Sequence, residues 1–159
     1  MRVPLIILLL LIIIQLAPGV TTQPEVVWEK TYFDGTFSFK ARDIVASKNG
    51  GFTVVGDDYI DVVVLNIDGE GNEMWKRILD HDDFDSADSI VGDGYGGFLV
   101  LGDTYGSQPG GLYAMRINDK GNKLWEKVFP EIQHVGPRRA FLTSNNNYLV
   151  ISSIREVSN

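Results

Sequence analysis

The densest run of chemically capable side chains is "DHDDFDSAD", which carries Asp80, Asp82, Asp83, Asp85 and Asp88. Two shorter runs, Asp57-Asp58-Tyr59 and Asp103-Thr104-Tyr105, add further carboxylates. Hard oxygen ligands in loops suit Ca²⁺. Two readings of the run therefore stand: a weak cation site on Asp82, Asp83, Asp85 and Asp88, or a solvated acidic rim. The run lacks the glycine and the distal glutamate of an EF-hand loop. Asp68, Glu70 and Asn72 alternate in the same way, but Glu73 follows where a calcium loop needs glycine, so that stretch reads as a hairpin turn.

Other chemistry finds little support. His81 and His134 stand in unrelated contexts, with no His-x-x-x-His or His-Glu pattern for zinc. No Gly-x-Ser-x-Gly elbow is present for acyl transfer. The chain has no cysteine, which removes thiolate catalysis, thiolate metal sites and disulfides. A formal net charge of -7 on 159 residues argues against nucleic acid, which needs a basic face. Gly50-Gly51 and Gly96-Gly97 precede no Lys-Ser/Thr and no helix, so they are turn residues, not a phosphate cradle.

The first residues set the compartment. Arg2 precedes an apolar run from Val3 to Ile14, and Ala17-Pro18-Gly19 supplies small residues after it. This is the pattern of a signal peptide over residues 1–19, and the run is shorter than the roughly 20 apolar residues of a spanning helix. The expected location is secreted or cell-surface. The alternative is an anchor formed by the uncleaved segment.

What positions the carboxylates is a repeat. Trp28, Trp75 and Trp125 stand 47 and then 50 residues apart. "GNEMWKRIL" returns as "GNKLWEKVF", and "VVWEKTYF" is a third version without Gly-Asn. "NGGFTVVGD" returns as "YGGFLVLGD", with a worn copy in "NNNYLVISS". Within each unit, short runs of Val, Ile, Leu and Phe end in Gly, Asp or Asn, which are strand and tight-turn signals. The pattern predicts four strands per unit, at about 43–47, 51–57, 61–67 and 73–79, then 88–92, 98–103, 112–118 and 123–129. A third unit holds strands near 140–144 and 148–154. An extra outer strand covers 26–33.

Four antiparallel strands every 45 to 50 residues is the blade period of a β-propeller. The fold expected is therefore all-β, with four-stranded antiparallel blades covering 34–79 and 80–129 and a partial blade over 130–159, within one domain of 20–159. That is about two and a half blades, too few to close a ring. The Trp residues are expected to fill the gaps between adjacent sheets, and Gly51 and Gly97 to serve as structural repeat positions. Up-down alternation puts the Asp-rich connections on one face. Arg138 and Arg139 replace Asp88 and Ser89 in the third unit, where they could face the acidic rim of a neighbouring copy.

The unit "GGF-x-V-x-G-D…G-N-x-x-W-x-K" resembles the repeats of secreted archaeal and bacterial β-propeller proteins, relatives of quinoprotein-type propellers. The resemblance covers Val26 to Ile154. It implies blade architecture and no activity: the calcium and cofactor ligands and the adjacent disulfide of quinoprotein dehydrogenases are not found, so no cofactor is expected. The function expected is a non-catalytic binding or scaffold module at the cell surface, with protein or carbohydrate as partner. A homo-oligomer that completes the ring is one way to close it. The alternative is a fragment of a propeller enzyme, a hydrolase or lyase or a degenerate quinoprotein, with catalytic carboxylates on the loop rim.

Overall fold

A computed structural model describes residues 26–32, 39–80, 84–106, 110–132 and 139–152. The proposed signal segment, His81, Asp82, Asp83, His134 and Arg138 lie outside them.

The described residues form strands and turns, with no helix among them. The first sheet is a meander of β1 (Lys40–Ala46), β2 (Phe52–Asp57), β3 (Val62–Ile67) and β4 (Glu73–Leu79). The second repeats it with β5 (Phe84–Gly92), β6 (Phe98–Tyr105), β7 (Gly111–Ile117) and β8 (Lys123–Phe129). β9 (Arg139–Leu142) and β10 (Tyr148–Ile151) form a two-stranded sheet. All pairings are antiparallel.

The repeat extends to the irregularities. The first strand of each four-stranded sheet shifts register once, between Ala41 and Asp43 and between Ala87 and Ser89. The last pair shifts at Asn66/Ile67 and at Arg116/Ile117. β5 begins four residues earlier than the sequence pattern predicts, because Phe84, Asp85 and Ser86 pair with Tyr105, Thr104 and Asp103. Residues 26–32 do not form the continuous strand expected. They make a single bridge at Lys30.

The middle strands are buried on both faces, which explains why "VVVL" does not alternate in polarity. Val55, Val62 and Val64 of the first sheet pack with Phe98, Val100, Tyr113, Met115 and Ile117 of the second. The alternate residues of the second sheet, Leu99, Leu101, Leu112 and Ala114, pack with Ala140 and Tyr148. On the far side of the first sheet, Val54, Leu65 and Ile67 are covered by Trp28, Tyr32 and Phe39. Each fully buried side chain of this size contributes roughly 1.5–3 kcal/mol.

Candidate functional site

The strands have two ends of different character. At the turn end, the indole of Trp28 donates to the carbonyl of Gly69 at 3.0 Å, and Trp75 donates to the carbonyl of Asp119 at 3.1 Å. These carbonyls occupy equivalent places in successive β3–β4 and β7–β8 turns. Gly71 and Gly121 follow, with φ of +78° and +77°. A Cβ there would stand 2.8 Å from the Trp28 ring and 2.6 Å from the Trp75 ring. Only glycine satisfies both the backbone and the ring. Gly51 and Gly97 bear on the carbonyls of Ile67 and Ile117, where a Cβ would overlap the oxygen. Trp75 thus packs between sheets as expected, whereas Trp125 is 43% exposed.

Polar groups at this end satisfy one another. Asp68 accepts from the amides of Glu70 (2.9 Å) and Asn72 (2.8 Å), and Asn118 accepts from Lys120 (3.0 Å) and Asn122 (2.9 Å). Bonds from Asn72 hold the Asp68 carboxyl below its ordinary range. Burial opposes ionisation of Asp93, but the Arg116 guanidinium at 2.8 Å and the amides of Tyr95 and Gly97 outweigh it and lower the carboxyl. Asn66, 3% exposed, donates to Ser47, Thr53 and the carbonyl of Phe52. A cleft of about 470 Å³ opens between the two sheets here, lined by Lys48, Asn66, Trp75, Tyr95, Phe98 and Lys120 among others. Nothing in the sequence pattern marks it, because its wall is drawn from both repeats.

The first strands of the sheets meet through one recurring position. Asp43 accepts from the hydroxyl of Ser89 (2.9 Å) and the amide of Ile90 (3.1 Å). Ser89 in turn accepts from the amide of Ala140 at 3.4 Å. Arg139, the third residue in this series, lies 3.9 Å from Asp43 of its own chain. It is exposed, and such a pair contributes little.

The loop end collects the carboxylates. Asp57 is buried against Arg42 at 2.9 Å. Asp58 accepts from the amides of Ile60 (3.0 Å) and Asp61 (2.7 Å), which folds the β2–β3 loop. That loop places Tyr59 at φ +81°, a left-handed conformation that is uncommon outside glycine. The Lys40 ammonium sits 3.7 Å from the centroid of its ring. Tyr59, Ile60 and Tyr105 are all exposed. The amide of Asp85 donates to the carbonyl of Ile60 at 2.6 Å, which ties the second sheet to this loop. Burial, then the charges of Asp58, Asp80 and Asp85, raise the Asp61 carboxyl.

Of the four aspartates read as a cation site, two fall within the described residues. Asp85 is buried opposite Thr104, and Asp88 is half-buried at the bulge of β5. Among the described residues no three His, Cys, Asp or Glu side chains come together in a metal-holding group. The Thr104 hydroxyl, which sequence reasoning passed over as a loop residue, is buried without a hydrogen-bond partner among the described residues. No protein-family model matches the chain, and no characterised protein matches its sequence.

Proposed function

We propose that the chain is a non-catalytic binding module built from β-propeller-type blades, exported to the cell surface, that engages its ligand through the loop end. The blade reading is supported by two sheets that repeat one meander, bulge for bulge, and whose last turns are each covered by a Trp of the preceding segment at the same carbonyl position. The export reading rests on the charged, apolar and small-residue order of residues 1–19.

The observation that carries the binding reading is Tyr59. A bulky residue held at φ +81° costs of order 1–3 kcal/mol, and such strain gathers at ligand sites. Here it lifts an exposed aromatic ring in the loop that carries Asp58 and Asp61, at the end of the strands where Tyr105 is exposed too. Rings that offer an apolar face, next to acceptors for hydroxyl groups, suit a carbohydrate. The test is binding of the purified chain to an oligosaccharide array. We expect selective binding that Tyr59→Ala and Tyr105→Ala each abolish. Absence of binding to any glycan, or binding indifferent to both changes, overturns the reading.

A further inference from the structure

The cleft of about 470 Å³ at the turn end lies between the two four-stranded sheets and takes no part in the loop-end reading. The repeat explains why it is open. Asn66 stands opposite Trp75 across the β3–β4 ladder, as Arg116 stands opposite Trp125 across β7–β8. Each is the last residue of a strand face turned toward the next sheet, after Val62 and Val64 in one case and Leu112 and Ala114 in the other. Arg116 extends its guanidinium to Asp93 at 2.8 Å. Asn66 is shorter, and its amide is turned down onto Ser47, Thr53 and the carbonyl of Phe52. The space that a long side chain takes in the second sheet is left open in the first.

The lining defines what fits. Phe98 and Trp75 supply aromatic surface from facing sheets, and Tyr95 adds an exposed ring at the rim. The polar groups with capacity to spare are donors. Lys120 is exposed, and its ammonium has no hydrogen-bond or ion-pair partner among the described residues. Lys48 gives one bond to the carbonyl of Gly94 at 2.8 Å and keeps two N–H groups. The Asn49 amide gives one N–H to Asn66 at 3.5 Å and keeps another. Among the described lining residues one acid, Asp119, faces these two lysines, on a chain whose formal net charge is -7. The cleft is thus a positive spot on an acidic protein, and its volume is that of a small-molecule site.

We propose that this cleft binds a small aromatic carboxylate. The ring enters between Phe98 and Trp75, where apolar contact favours a flat group. The carboxylate stays at the rim and accepts from Lys120, with Lys48 and Asn49 as further donors. A neutral ring leaves the ammonium groups without a counter-charge, and a bare anion leaves the aromatic walls unused. The site is separate from the loop end and does not depend on it.

The probe is naphthoate, titrated into the purified chain and followed by nuclear magnetic resonance at the Trp75 indole N–H and the Tyr95 ring. One-to-one binding that shifts both signals is expected. Naphthalenemethanol keeps the ring without the charge, and acetate keeps the charge without the ring. Each should bind at least about tenfold more weakly than naphthoate, as loss of a charge-assisted bond or of an aromatic contact does. Lys120→Gln should weaken naphthoate about tenfold, and Lys120→Arg should retain most of the binding. Both changes leave the turn intact, because the backbone amide of residue 120, not its side chain, bonds to Asn118. Four results overturn the proposal: no binding of naphthoate, equal binding of naphthalenemethanol, Lys120→Gln without effect, or shifts that spare Trp75 and Tyr95.

Discussion

Asp93 and Asp61 are the same residue type at opposite ends of the strands, and their carboxyls move in opposite directions. Asp93 is met by a guanidinium and two amides, so its charge is favoured in the folded chain. Asp61 is partly desolvated and faces Asp58, Asp80 and Asp85, so its charge is disfavoured. The turn end uses its acids to close hairpins and fix sheets. The loop end gathers acids that repel one another, at a cost to the fold. A structure retains such a cost where the surface has another use, and this is the physical contrast behind the proposed binding face.

The contrast can be broken first at the turn end. Gly121→Ala puts a methyl group into the Trp75 ring at a positive φ, and should destabilise the chain by about 2–4 kcal/mol in denaturant unfolding. Asn66→Ala leaves Ser47, Thr53 and the Phe52 carbonyl without their buried donor, and should cost about 2–3 kcal/mol in the same measurement. Asp93→Asn keeps an acceptor for the amides but removes the charge facing Arg116, at a cost of about 1 kcal/mol at neutral pH.

The pH dependence of that loss sharpens the comparison. The folded carboxyl of Asp93 is lowered, so its contribution is present above the unfolded value near 4 and is lost as pH falls through the folded value. The Asp93→Asn and parent unfolding curves should therefore converge toward pH 2. Asp61 carries the opposite sign. Its raised carboxyl favours the folded chain in acid, and that advantage disappears as pH rises through the folded value. Asp61→Asn should stabilise the chain at pH 7 by less than about 0.5 kcal/mol, with no gain at pH 3. A destabilised Asp61→Asn at neutral pH would remove the contrast.

The sequence made the outer strands legible to the residue. β4 and β8 span 73–79 and 123–129 as the pattern predicts, because a Gly-Asn turn and a tryptophan mark them in each repeat. The start of β5 was hidden, since Asp85 and Ser86 look like loop residues until their pairing with β6 is seen. The contact among the first strands was hidden for another reason. Its position reads Asp43, Ser89 and then Arg139, so the role persists while the chemistry changes. The carboxylate-rich face was legible from strand alternation alone. The left-handed Tyr59 was not, because no residue type announces a positive φ at a tyrosine.

The hydrogen bonds between sheets have a consequence for how the chain is made. Trp28 to Gly69, Asp43 to Ile90, Trp75 to Asp119 and Ser89 to Ala140 each join a segment to the one that follows it. Each meander is itself closed by short turns, so its contacts are local and form quickly. The first sheet can be complete while the second is still being synthesised, and each finished sheet offers the next a ready template. The Arg139–Asp43 pair, which skips one sheet, closes only after the third has arrived. The stack is thus suited to assembly in the order of translation, its exposed edge advancing with the growing chain.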